Sequence, residues 1–191
     1  MEKILFIVGS TRKNSFNRQL AKEVEKILSS EADVSYLDFS DVPFFNQDKE
    51  FPTPDSVFRV RQEVMLSDGI WIFTPEYNQS YPGYLKNLLD WLSRPFKPND
   101  YASGSAAKDV KVTISGVSGK SAAGNSRKKL SELVQYVGMD LCAEEGTGLA
   151  LDEKAFATDK LSVSLHDKAR LEKQAEDFLR FIAGLAVIPF P

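Results

Sequence analysis

Gly69-Ile70-Trp71-Ile72-Phe73-Thr74-Pro75-Glu76-Tyr77-Asn78-Gln79-Ser80-Tyr81-Pro82-Gly83-Tyr84-Leu85-Lys86-Asn87-Leu88-Leu89-Asp90-Trp91 decides the fold. Its first five residues form an unbroken apolar run, the pattern of a strand buried on both faces. Pro75 has no N–H to give a sheet ladder, so the strand ends there. A polar and aromatic loop follows, and Pro82 then suits the first turn of a helix. Open α/β sheets build ligand sites from such a strand, a loop at its carboxyl end and the next helix. The loop from Thr74 to Tyr81 is therefore the first site candidate.

The same pattern recurs on both sides of this stretch. Lys3 to Val8 reads as a first buried strand, running into Gly9-Ser10-Thr11-Arg12-Lys13-Asn14-Ser15-Phe16-Asn17. Apolar residues at Phe16, Leu20, Val24, Ile27 and Leu28 then mark one helix face. The loop sits at a helix N-terminus, where free N–H groups and the macrodipole favour an anion. Ser10, Thr11, Asn14, Ser15 and Asn17 can add hydrogen bonds and Arg12 positive charge. An exposed, capped turn accounts for the same composition. The dinucleotide fingerprint G-x-G-x-x-G is absent.

Asp33 to Phe39 reads as the second strand, and Pro43 to Pro54 as a loop holding Phe44-Phe45. That aromatic pair could form a lid, a subunit contact or an anchor for the loop. Thr53-Pro54 signals a helix carrying Val57, Val60 and Val64. A fourth strand runs from Lys111 to Ser115, followed by the small-residue loop Ser115 to Gly124 and a helix with Leu130, Leu133, Val134 and Val137. Met139 to Glu144 is a fifth strand, and a last helix from Asp167 presents Leu171, Ala175, Phe178, Leu179 and Ile182. Gly146 to Ser164 shows no periodicity, and His166 lies just before the last helix as a surface or capping residue.

Five strands alternating with helices predict an α/β fold with a doubly wound parallel sheet in three layers, α/β/α. The expected boundaries are one domain over residues 1–191. The net charge of −3 gives no electrostatic case for nucleic acid or an anionic membrane, so any phosphate site must be local. One cysteine, Cys142, excludes an intrachain disulfide, and its apolar neighbours suggest a buried thiol. The apolar run at Ile4 to Val8 is too short for a secretory core, and the tail from Phe181 to Phe190 too short to span a bilayer. A cytoplasmic protein without membrane or nucleic-acid partners is expected, with no metal site.

Gly119-Lys120-Ser121 invites comparison with a triphosphate-binding loop, but the spacing needs a glycine where Ile114 stands, and no strand ends in an aspartate suited to magnesium. The helix after Pro82 carries two apolar stripes: Leu85, Leu88, Leu89 and Leu92, and beside it Tyr84, Leu88 and Trp91. One stripe suffices to lie on a sheet, so the second predicts a subunit interface and a homodimer or homotetramer, the alternative being a helix sunk beneath its own chain's loops.

Pro75-Glu76-Tyr77-Asn78, then Ser80-Tyr81-Pro82-Gly83 and Leu85-Lys86-Asn87-x-Leu89-Asp90-Trp91, resembles the signature of the NADPH-dependent FMN reductase family. Gly9-Ser10-x-Arg12-x-x-Ser15-x-Asn17 is similar to that family's first motif, whereas the loop after the fourth strand is poorer in glycine than is common there. The resemblance implies a flavodoxin-like strand order, 2-1-3-4-5, which brings the three candidate loops to one sheet edge. It implies bound FMN, with Ser10, Arg12, Ser15, Phe16 and Asn17 around its phosphate and Pro75, Glu76, Tyr77 and Asn78 along its ring. Ser115 and Gly116 would leave room beside that ring. It further implies a ping-pong reductase: NADPH or NADH reduces the flavin, and a quinone, azo compound or chromate-like metal oxyanion then takes the electrons. No side chain is assigned a catalytic proton, since the cofactor carries the chemistry. A flavodoxin-like electron carrier or a flavin sensor is the alternative.

Overall fold

The structure, a computed structural model, describes residues 1–143 and 146–185. In chain order the elements are β1 (Glu2–Val8), α1 (Phe16–Leu28), β2 (Ala32–Tyr36), α2 (Asp55–Leu66), β3 (Gly69–Thr74), α3 (Gly83–Leu92), β4 (Lys111–Ser118), α4 (Gly124–Tyr136), β5 (Asp140–Leu141), β6 (Thr147–Ala150), α5 (Glu153–Thr158) and α6 (Leu165–Ile182). The sheet is parallel and runs β2-β1-β3-β4-β5, the order expected. Strand residues alternate between two cores. Leu5, Ile7, Ile70, Ile72, Val112 and Ile114 meet α2, α3 and α4 on one face. Ile4, Phe6, Trp71, Phe73 and Val117 meet α1 and α6 on the other. The result is a flavodoxin-like α/β/α sandwich.

The fifth sheet position differs from expectation. It is divided between β5, which pairs Lys111 and Val112, and β6, which pairs Ser115 to Ser118. Expected strand residue Glu144 lies outside the described residues, as does the tail beyond residue 185. Between the two short strands, the Gln174 side chain replaces the missing ladder. Its amide nitrogen donates to the Ile114 carbonyl at 2.9 Å and to Thr113 Oγ1 at 2.8 Å. Its Oε1 accepts from Thr147 N–H at 3.0 Å and Ser115 Oγ at 2.9 Å. Gln174 is buried, so these bonds satisfy groups that water does not reach. The unpatterned stretch after Gly146 contains both β6 and α5, and His166 falls within the first turn of α6.

The second stripe of α3 faces this chain's own loop rather than a partner. Trp91 is fully buried, and its Nε1 donates to the Pro43 carbonyl at 2.8 Å. Phe45 packs edge-on against it, and Tyr84 stacks on Phe39 with ring centres 4.2 Å apart. Arg94 grips buried Glu50 with two bonds of 2.9 and 3.1 Å, fixing the loop's far end. Phe45 is thus the anchor of the loop, while Phe44 is 86% exposed. The interface expected from α3 has lost its basis, because residues 39–50 bury the surface that suggested it.

Candidate functional site

Strand register brings three loops to one edge. Val8 lies opposite Phe73, and Thr74 opposite Gly116, so β1, β3 and β4 finish side by side. A cavity of about 440 Å³ opens there, lined by Ser10, Arg12, Ser15, Phe16, Asn17, Pro75, Glu76, Tyr77, Val117, Ser118, Gly119, Leu151, Phe156 and Asp159. Eight of the eleven residues expected at the site are among them. A larger groove of about 680 Å³ lies between α1 and α6, with Glu23, Lys26, Glu31 and Lys168 about its rim. It touches no strand's carboxyl end, and the smaller cavity is where this architecture places ligands.

The first loop gathers hydrogen-bond donors at the N-terminus of α1. Gly9 N–H donates to the Phe73 carbonyl at 2.8 Å, pinning the loop to β3, and Ser15 N–H donates to the Arg12 carbonyl at 3.1 Å. The N–H groups between them make no backbone hydrogen bond with the described residues. Ser15 is the N-cap of α1: its Oγ accepts from Arg18 N–H at 3.1 Å, leaving the hydroxyl proton to donate. Ser10 is buried beside it. Asn17 behaves otherwise. Its side chain exchanges two 3.0 Å bonds with the Val117 backbone, so this buried amide ties α1 to β4 and wedges the first and third loops together.

The second loop is a tight turn. Tyr77 and Ser80 exchange backbone bonds of 2.9 and 3.0 Å, and the two residues between them, Asn78 and Gln79, have φ of 52° and 60°. Two consecutive left-handed residues define a type I′ turn, normally built with glycine. Tyr77 lines the cavity while half its surface stays exposed. Asn78, at the exposed tip, does not line it, contrary to expectation, because the turn carries it past the cavity wall.

Glu76 joins the second loop to the third. Its Oε2 accepts from Asn125 N–H at 2.9 Å and Ser126 N–H at 3.2 Å, and its Oε1 accepts from Asn125 Nδ2 at 3.2 Å. Burial raises the carboxyl's pKa, but hydrogen bonds from Asn125, Ser126 and Ser121 outweigh it and hold it below the usual range. The N-cap residue of α4 is Ala123, which has no side chain able to cap, so Glu76 serves as the cap from another loop.

Two further expectations are corrected. Ser115 is fully buried between Trp71 Nε1, which donates to it at 3.0 Å, and Gln174, so it faces the core rather than the cavity. Gly116 makes no room for a ligand. A Cβ there would stand 2.6 Å from the Thr74 carbonyl oxygen and 2.8 Å from Ala123 Cβ, so the missing side chain lets the protein close on itself.

The wall that sequence reasoning missed comes from the segment after β6. Leu151, Phe156 and Asp159 complete the cavity, with Phe156 edge-on to Phe16 at 6.1 Å. Arg12 lies 5.2 Å from the Phe16 ring centre, and its Nη1 donates to Asp159 Oδ1 at 2.7 Å. A six-residue helix is too short to show a period, and its one local sign is the cap at Asp152, which accepts from Ala155 N–H at 2.7 Å.

Residues 2–145 match the NADPH-dependent FMN reductase family. The chain belongs to that family. A 2-hydroxy-1,4-benzoquinone reductase of Burkholderia sp is 42% identical over 94 residues, 49% of this chain and 51% of that protein. A quinone reductase of Pseudomonas putida is 35% identical over 117 residues, 61% of this chain and 62% of its own length. The chain thus spans about half to three-fifths of the curated relatives it matches. The solved flavoenzyme NAD(P)H:(acceptor) oxidoreductase FerB of Paracoccus denitrificans superposes with a TM-score of 0.83 at 27% identity, covering 96% of this chain and 98% of that one. An FMN reductase of this architecture must hold a phosphate and a flat ring, and a hydroxyl-lined helix N-terminus beside an aromatic, proline-edged wall suits both.

Proposed function

We propose that this chain is an FMN-dependent NAD(P)H oxidoreductase that passes electrons, in a ping-pong cycle, to quinones, azo compounds, chromate or related small acceptors. One observation carries the reading: loops from three neighbouring strands converge on a single cavity of about 440 Å³ whose lining draws residues from both stretches that resemble the family's motifs. That size lies within the range of about 300–1,000 Å³ usual for small-molecule sites.

In this proposal Ser10, Ser15, Arg12 and the α1 N-terminus hold the FMN phosphate. Pro75 and Tyr77 flank the ring, and Val117 to Gly119 set its depth. Asn17 and Glu76 keep these walls at fixed spacing and contribute orientation. When bound, FMN supplies redox chemistry that no side chain here offers. NADPH or NADH is the donor, approaching the open side above Tyr77.

The proposal takes residues 1–191 as one FMN-binding domain in the cytoplasm. No helix among the described residues is long and apolar enough to cross a membrane. A homodimer or homotetramer now rests on the side chains that stay exposed, including Phe44, Phe58, Met65 and Leu66. Light scattering at micromolar concentration tests it, and a monomer removes it.

The test of function is a visible spectrum of protein incubated with FMN and desalted, recorded before and after anaerobic NADPH and then NADH. Retained flavin absorbance that bleaches rapidly is expected. Flavin that is retained but bleached by neither nucleotide would transfer the proposal to an electron carrier or sensor. A negative FMN titration would end it.

A further inference from the structure

Resting on the flavin reading above, we infer that Asp159 is an internal competitor of the cofactor's phosphate, and that residues 151–160 form the clasp it closes. Asp159 presents two carboxylate oxygens to two donors of the phosphate loop. Arg12 Nη1 donates to Oδ1 at 2.7 Å, and Asn14 Nδ2 to Oδ2 at 2.7 Å. One anionic group bridging a guanidinium and an amide is the arrangement a phosphate would adopt with two of its own oxygens. The Asp159 carbonyl continues the contact, accepting from Asn14 Nδ2 at 3.2 Å and Gln19 Nε2 at 3.1 Å. Gln19 Oε1 accepts in turn from Leu161 N–H at 2.8 Å. A segment some 140 residues away in sequence is thereby fastened to the loop and first turn that would receive the cofactor.

Three features make this a clasp rather than a fixed brace. Arg12, Phe16, Phe156 and Asp159 all line the cavity, so the fastening lies in the path of the ligand. The Arg12–Asp159 pair is half-exposed on both sides, and such pairs are weak enough to exchange partners. Asp159 has φ of +54°, so it ends α5 in the left-handed region, where a residue other than glycine carries modest strain that release of the segment would remove. A dianionic phosphate seated at the α1 N-terminus meets this carboxylate at close range. Its binding frees Arg12 and Asn14 from Asp159, and Phe156 moves with the segment that carries them. A flavin without the phosphate makes no such demand and leaves the clasp closed.

The experiment compares FMN and riboflavin, titrated against the full chain by flavin fluorescence, in the native protein and in Asp159→Asn. Asparagine removes the charge, keeps a side chain able to bond Asn14, and tolerates the left-handed backbone. The dissociation constant for FMN should fall about tenfold, the scale of one close charge pair in a partly hydrated site, while that for riboflavin stays unchanged. Asp159→Gly, equally at ease with positive φ, should give the same pattern. Unchanged or weakened FMN binding in both variants would overturn the inference and make Asp159 a support for Arg12. An equal gain for both flavins would also overturn it, since that reports a looser wall rather than a competing charge. If the native protein binds neither flavin, the flavin reading itself has failed, and that result differs from each of the others.

Discussion

Glu76→Ala tests whether one carboxylate joins two walls of the cavity. Glu76 lies after β3, yet the helix it caps begins after β4, where Ala123 cannot cap. The substitution leaves the N–H groups of Asn125 and Ser126 without the acceptor they now reach at 2.9 and 3.2 Å. Loss of an N-cap costs about 0.5–2 kcal/mol. Removing a negative charge from a helix N-terminus adds about 0.3–1 kcal/mol. Together these give about 2 kcal/mol, or a melting temperature lower by roughly 4–8 °C in a chain of this size. Glu76→Gln, whose amide oxygen can still accept, should lose about half as much. The pH dependence has a fixed sign. The folded-state pKa of Glu76 is depressed, so its contribution is complete above the unfolded value and is lost as pH falls through the folded one. Urea denaturation at neutral and at acid pH measures both effects, and the native and alanine proteins should converge in acid. A loss under about 0.5 kcal/mol at neutral pH, or equal losses for alanine and glutamine, would refute the trans-cap argument.

Asn17→Ala should destabilise the fold by about 2–4 kcal/mol, because it leaves the Val117 N–H and carbonyl buried without partners. A stable variant that merely loses its preference for FMN over riboflavin would return Asn17 to the phosphate. Gly116→Ala should lower stability by about 1–3 kcal/mol and reduce flavin retention, since the new Cβ pushes on Thr74 and Ala123. Melting curves and the desalted spectrum check the two parts separately. Burial and the neighbouring Asp177 push the Cys142 thiol up to about 11, so it should react with a thiol reagent at neutral pH roughly a hundredfold or more slowly than a free cysteine. Cys142 is half-buried rather than buried as expected, and rapid labelling there would contradict the raised thiol pKa.

What the sequence made legible follows from how far each signal reaches along the chain. β1, β3 and β4 are buried on both faces and declare themselves as continuous apolar runs, and the loops at their ends carry the residue types of a ligand site. β5 and β6 are two and four residues long and share one sheet position, so neither forms a pattern. The gap between them is bridged by Gln174, more than two dozen residues later, which no local window can register. The second stripe on α3 was a true sign of extra burial. Its cover, the loop through Pro43 and Phe45, becomes evident only once the chain has folded back. At the site itself, residue types at Asn17, Glu76, Ser115 and Gly116 suggested ligand contacts, but hydrogen-bonding capacity does not reveal its recipient. Asn17 and Glu76 serve loop-to-loop spacing, Ser115 the core, and Gly116 the close approach of two segments.

Two stretches of the chain share the lining of the cavity. Residues 2–145, the span of the family match, contain the Gly9–Asn17 loop, the Glu76–Tyr77 turn and the end of β4. Leu151, Phe156 and Asp159 lie after that boundary yet close the same cavity and engage Arg12 and Phe16 directly. The later wall holds to the earlier one through the Leu151 N–H bond to the Ser118 carbonyl at 2.8 Å and the Asp159 carbonyl, which accepts from Asn14 and Gln19; its other grips are side-chain contacts at the surface. Phe156 meets only the edge of Phe16, and the Arg12–Asp159 pair is open to water. Substitutions there alter the fit of the ligand at little expense to folding. The same cannot be done at Asn17 or Gly116, where fit and fold use the same atoms. The tunable part of this chain's cavity is therefore the segment from Leu151 to Asp159, which brings one aromatic edge to Phe16 and one carboxylate to Arg12.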